Sequence, residues 1–143
     1  MSQMHKPKWE VSKLLEEYGL RATLARRALL AVLLHETLPR SVEYLRNETS
    51  EEIDKVTAYR TLESFVQSGL VRRVDLQHDH AHYELLPGRP HHHHAVCTTC
   101  GLVEDIEVPH AQKPEASALK ATRAFTHIDS YSLEFFGRCH TCA

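Results

Sequence analysis

Apolar positions recur at helical spacing through the first half of the chain and in short alternating runs through the second. Between residues 9 and 18, Val11, Leu14, Leu15 and Tyr18 fall on one stripe, and Gly19 follows as a helix stop. Thr23 is placed to cap a second helix whose Leu24, Ala28, Leu29, Val32 and Leu33 point inward. Pro39 breaks that run. Ser41 then caps a third helix carrying Val42 and Leu45. Asp54 caps a fourth, in which Val56, Tyr59, Leu62, Phe65 and Val66 recur before Gly69 ends it. Two strands are predicted next, 70–76 and 82–86, turning through Gln77, His78, Asp79 and His80. Helices followed by such a hairpin form the winged helix-turn-helix pattern.

Pro87-Gly88-Arg89-Pro90 punctuates the chain and reads as a hinge. Beyond it the pattern changes. Short strands are expected at 95–97 and 102–106 and a helix over 114–125, with Pro114 in its first turn. A strand is expected over 128–137, where Tyr131, Leu133 and Phe135 alternate. This half holds too little apolar material for a large core, a shortage that metal ions and self-association commonly remedy.

Composition narrows the class. At 143 residues, 42% hydrophobic and 25% charged, the chain is a globular protein of one ordinary domain or two small ones. No apolar stretch reaches the roughly 20 residues needed to span a bilayer. The first residues lack the apolar run of a secretory signal, so a cytoplasmic location is expected. The net charge of −2 gives no global pull toward nucleic acid, so a DNA-binding face must be a local cluster.

The cysteines carry the strongest chemistry. There are four, in two matched pairs, Cys97-Thr98-Thr99-Cys100 and Cys139-His140-Thr141-Cys142. In a reducing compartment, paired Cys-x-x-Cys knuckles read as metal ligands rather than disulfides. Four thiolates complete a tetrahedral zinc shell and leave no open position for catalysis. A redox pair or buried free thiols are the competing readings, and the second knuckle argues against the redox pair.

Histidine supplies a second donor chemistry, with twelve in the chain. His91 to His94 precede the first knuckle. In an extended segment His92 and His94 share one face, and His91 and His93 the other. His80, His82 and Glu84 alternate on the second wing strand, and Asp105 lies on the strand after the knuckle. Imidazoles with carboxylates suit Zn²⁺, Fe²⁺ or Mn²⁺ without selecting among them. These candidates lie on both sides of the hinge, so a shared ion would fix the angle between the halves. Solvated histidines are the alternative.

Taken in order, several motifs resemble the ferric uptake regulator family of metal-responsive repressors. They are Gly19-Leu20-Arg21-Ala22-Thr23 with Arg26, the run from Val56 through Thr57, Ala58, Tyr59 and Arg60 to Leu62, and the run from Ser68 to Val71. Tyr83-Glu84, the segment from His91 to Gly101, and Phe136-Gly137-Arg138-Cys139 complete the set. The resemblance covers about residues 10–143. It implies an α+β chain with an N-terminal winged helix-turn-helix DNA-binding domain (1–86) and a hinge (87–90). A small α/β dimerisation and metal-binding domain with a four-cysteine zinc site (91–143) would follow. It implies a homodimer on a double-stranded DNA operator, with no catalytic activity and no membrane partner. The fourth helix would enter the major groove. Tyr59 and Arg60, with Thr57 beside them, would touch bases or phosphates, and Arg21 and Arg26 would add basic contacts. Arg72 and Arg73 on the wing are within reach of the DNA backbone on the same reading.

Carried over residue by residue, the regulatory metal site becomes Glu84, His92, His94 and Asp105. His80 or His82 are further candidate ligands from strand alternation alone, and His91 and His93 are candidates for a third site. The chain departs from the family pattern at several points. Pro39-Arg40 stands where a sensory histidine is usual, Tyr131 where an auxiliary-site histidine is usual, and His93 where many iron-type members carry an acidic residue. No cysteine is left over for a regulatory site. Alternative functions are peroxide sensing through iron-catalysed histidine oxidation, metal buffering, and a zinc hydrolase or deaminase. The last lacks its signature motifs.

Overall fold

Side-chain oxygens start three of the helices. Thr23 Oγ1 accepts from the Arg26 N–H at 3.3 Å, Ser41 Oγ from Tyr44 at 3.2 Å, and Asp54 Oδ2 from Thr57 at 3.1 Å. Each contact satisfies one of the N–H groups that a helix start leaves without an internal partner. The computed structural model describes residues 10–78, 80–88, 92–108, 113–129 and 131–143. They fall into two compact units, Met1–Arg89 and Pro90–Ala143.

In the first unit, α1 (Val11–Glu17), α2 (Leu24–His35), α3 (Val42–Glu48) and α4 (Lys55–Ser68) pack with a three-stranded antiparallel sheet. Its strands are β1 (Arg40–Ser41), β2 (Val71–Val74) and β3 (His82–Leu85), in the order β1-β3-β2. The core runs from Leu14 and Leu15 through Leu29, Leu30, Leu33 and Leu45 to Leu62, Phe65 and Tyr83, all buried. Along α4 the buried residues are Ala58, Thr61, Leu62 and Phe65, a face repeating every three to four positions. The buried Thr61 hydroxyl donates to the Thr57 carbonyl at 2.7 Å. Gly69, at φ 81°, closes α4, with the Leu70 N–H reaching back to the Phe65 carbonyl at 3.0 Å.

Three details differ from the sequence pattern. Leu24 and Val56 were expected inside, but both are exposed (55% and 56%) because they occupy the first turns of α2 and α4, ahead of the buried faces. The two-residue β1 was not expected. It exists because Arg40 and Ser41 pair with Tyr83 and His82 on β3.

In the second unit, β4 (His93–Cys97) is central. It pairs antiparallel with β5 (Val103–Ile106) and parallel with β6 (Glu134–Gly137), in the order β5-β4-β6. β6 is shorter than the expected 128–137, because its ladder runs only alongside His94 to Cys97. The helix α5 (Pro114–Ala121) is also shorter than the expected 114–125. None of its residues is buried, so no packing sustains another turn. Val96 and Cys97 are the buried apolar residues here among those described, whereas Leu102, Leu119, Phe125, Phe135 and Phe136 are exposed.

Candidate metal centres and DNA-facing residues

The turn after β4 and the end of β6 bring the four cysteines together. Thr98 donates its N–H to the Gly137 carbonyl at 2.8 Å, and the Gly101 N–H closes the first knuckle onto the Cys97 carbonyl at 2.9 Å. Gly101 sits at φ 80°, a conformation glycine adopts without steric cost. The four sulfurs lie within 4.8 Å of one another, and none is in a disulfide. The Cys100 and Cys139 sulfurs are 3.7 Å apart. Zn–S bonds of about 2.3 Å at tetrahedral angles put sulfurs about 3.8 Å apart, so the cluster has the dimensions of a zinc shell.

The electrostatics agree. Backbone N–H groups of Cys100 and Cys139 bond to the Cys97 sulfur (3.5 and 3.4 Å) and pull that thiol down to about 5. Its neighbour Cys142 is pushed up to about 12, first by its hydrogen bond with Cys139 and then by burial. Without a cation the group therefore keeps protons that a divalent ion would displace.

On the same sheet, His94 is fully buried beside two carboxylates. Its Nε2 is 3.4 Å from Asp105 Oδ1 and its Nδ1 is 3.7 Å from Glu134 Oε1. Strand register explains this, since His94 faces Asp105 on β5 and Glu134 on β6. The His92 ring lies edge-on to His94 with centroids 5.1 Å apart. Glu134 was not anticipated from the sequence. The alternation of Tyr131, Leu133 and Phe135 drew attention to one strand face, and the same alternation assigns Glu134 to the other. His93 points away from this group. Its Nδ1 donates to the Leu133 carbonyl at 3.0 Å, with Tyr131 and Phe135 beside it. Its third-site companion His91 lies outside the described residues.

In the first unit, Glu84 is buried on β3 and ion-paired with Arg72, whose Nε donates at 2.9 Å. The other wing arginine, Arg73, pairs with Glu63, which also accepts from the Tyr83 hydroxyl at 3.1 Å. Both arginines expected at the DNA backbone are thus engaged by carboxylates of their own unit. Arg40, in the place of the usual sensory histidine, is held by Glu36 at 2.8 Å and lies over the Tyr44 ring at 4.4 Å. His80 and His82 stack with centroids 4.9 Å apart. Burial, with His80 and His78 nearby, pushes His82 down to about 4, leaving a neutral imidazole.

Of the residues expected at DNA, Arg60 and Arg21 are exposed. Arg26 donates to the Arg21 carbonyl at 3.1 Å, tying the entry of α2. The Thr57 hydroxyl bonds to Asp54 Oδ1 at 2.5 Å. Tyr59 is half-buried against the core, so part of its surface serves packing. Val56, four residues before Arg60, leaves an apolar side chain exposed at the start of α4.

Comparison with known proteins adds the context. Residues 17–136 match the model of the ferric uptake regulator family. A ferric uptake regulation protein of Legionella pneumophila is 33% identical over 137 residues, covering 93% of this chain and 98% of that protein. The Vibrio cholerae ferric uptake regulator superimposes with a TM-score of 0.68 at 28% identity, covering 90% of this chain and 98% of that one. A ferric uptake regulator from Pseudomonas aeruginosa with manganese gives a TM-score of 0.65 at 26% identity, covering 92% and 98%.

Proposed function

This chain belongs to the ferric uptake regulator family, and from that premise we propose that it is a homodimeric, metal-dependent repressor that binds a palindromic DNA operator. One zinc ion, held by Cys97, Cys100, Cys139 and Cys142, clamps the C-terminal unit and supports pairing of two copies. A second divalent ion, Fe²⁺, Zn²⁺ or Mn²⁺, acts as the signal.

We assign the regulatory ion to Glu84, His92, His94 and Asp105. The observation that carries the reading is His94, a buried imidazole flanked by two carboxylates and chemically distinct from the four-sulfur cluster. One ring nitrogen ligates, while the other gives its N–H to a carboxylate that fixes the tautomer. On this assignment Nε2 and Asp105 face the ion, and Glu134 Oε1, at 3.7 Å from Nδ1 too far for a hydrogen bond, takes that N–H when the ring tightens onto the ion. Glu84 lies before the hinge and His92 after it, so an ion shared by them restrains the two units. It shifts the protein toward the DNA-binding arrangement only because it binds that arrangement more tightly. Arg60 is the principal DNA-reading side chain of α4, with Arg21 and Arg26 adding phosphate contacts.

The test is operator binding by protein with the structural zinc retained, with and without Fe²⁺, Zn²⁺ or Mn²⁺, across a salt series. Tightening on metal addition is expected, with loss of the response in His92→Ala. Equal binding by apo and loaded protein at every salt concentration overturns the proposal.

A further inference from the structure

The wing holds three imidazoles that neither DNA contact nor the regulatory ligand set uses. His78 and His80 lie at the exposed hairpin turn, and His82 lies at the start of β3. Ring centroids are 4.9 Å apart for His80 and His82, 5.0 Å for His78 and His82, and 6.2 Å for His78 and His80. His82 is only 8% exposed, and its Nδ1 is buried with no hydrogen-bond partner among the described residues. A buried ring nitrogen without a partner is costly and asks for a proton or an ion to bind it.

The spacing has the dimensions of a shared ion. With Zn–N bonds of about 2.0–2.1 Å and ring centres about 1.1 Å farther out, two imidazoles at a tetrahedral angle have centroids about 5 Å apart. Two of the three centroid spacings meet that value. The donor nitrogens of the three rings do not all lie within 4.8 Å of one another, so an ion on His82 is reached by rotation of His78 and His80, whose side chains are exposed. The neighbouring cation Arg40, on β1 beside β3, is already paired with Glu36 and opposes a bound ion only weakly.

We propose that the wing binds a divalent ion through His78, His80 and His82, at a site separate from the one assigned to Glu84, His92, His94 and Asp105. An all-imidazole donor set favours Zn²⁺, Cu²⁺ or Ni²⁺ over Mn²⁺. An ion there cross-links the hairpin turn to β3 and adds positive charge to the wing. The site does not depend on the regulatory assignment, since His78 belongs to no other ligand set.

The experiment uses full-length protein with its structural zinc in place, titrated with Zn²⁺ against a chromophoric chelator. Wild type takes up two equivalents per chain beyond the structural ion. His78→Ala combined with His80→Ala removes one equivalent and leaves metal-dependent operator binding in place. His92→Ala weakens the other equivalent and leaves the wing ion. Cu²⁺ bound to His92→Ala shows nitrogen hyperfine coupling that disappears when His78 and His80 are also replaced. Unchanged stoichiometry in the wing double variant overturns the proposal. So does loss of both equivalents in His92→Ala, which would make the wing histidines part of one regulatory site. If His92→Ala alters nothing while the wing variant loses an equivalent, the regulatory assignment fails and the wing site stands.

Discussion

Replacing Cys142 with serine should unfold the C-terminal unit and spare the N-terminal one. The change is nearly isosteric but removes one of four thiolates. Cys142 is half-buried, so lost packing contributes little to the outcome. The magnitude follows from what else holds each unit. Val96 and Cys97 are the buried apolar side chains of the C-terminal unit among the described residues, and Cys97 is itself one of the four sulfur donors. Val96 then contributes about 1.5–3 kcal/mol. A structural zinc contributes about 10–16 kcal/mol in small zinc-binding peptides, several times more. The N-terminal unit has fifteen residues in one buried cluster and no share in the ion. Amide hydrogen exchange read peptide by peptide separates the two. In Cys142→Ser, or in wild type stripped with a strong chelator, protection should vanish over residues 92–108 and 131–143. Protection over α2 and α4 should remain. Persistent protection of β4 to β6 after verified zinc loss would refute the reasoning, and would mean that the exposed apolar side chains close a core in the dimer without the metal.

Other outcomes test other links. Arg60→Ala should leave the fold intact, since the side chain is exposed, and should weaken operator binding by about 1–3 kcal/mol if it reads a base. If it contacts a phosphate instead, the loss should be uniform across sequences, with the salt slope reduced by about 1. Glu134→Ala should lower affinity for the regulatory ion about 10–100-fold while the structural zinc stays bound, as competition titration would show. Leu62→Ala, at a fully buried core position, should cost the N-terminal unit about 2–5 kcal/mol in urea unfolding, with zinc content unchanged.

The first unit was largely legible because its signals are local. Thr23, Ser41 and Asp54 each begin a helix where their side chains predict it, and Gly69 ends one. The misplaced residues, Leu24 and Val56, lie in first turns, where periodicity extends past the buried face. The knuckles were legible because their spacing encodes a turn. What the sequence hid depends on strand register. Glu134 meets His94 only because β6 runs parallel to β4, and β1 forms only by pairing with β3. The engagement of Arg72 and Arg73 was hidden for the same reason. Their partners lie twelve and ten residues away along the chain and become neighbours only after folding.

The Arg72–Glu84 pair sets loading of the proposed regulatory site against a charge already in place. Glu84 is buried and ion-paired, and two Arg72 donors, Nε and Nη2, meet the same carboxylate oxygen, Oε1. Two effects follow. An arriving ion shares the carboxylate with a guanidinium, so metal affinity is set against the charge of Arg72. The ion in turn draws on the negative charge that holds Arg72, so the guanidinium is less neutralised and the charge presented to a DNA backbone rises on the strand itself. Metal occupancy and phosphate affinity are thereby coupled through one side chain, within one unit, before any movement at the hinge.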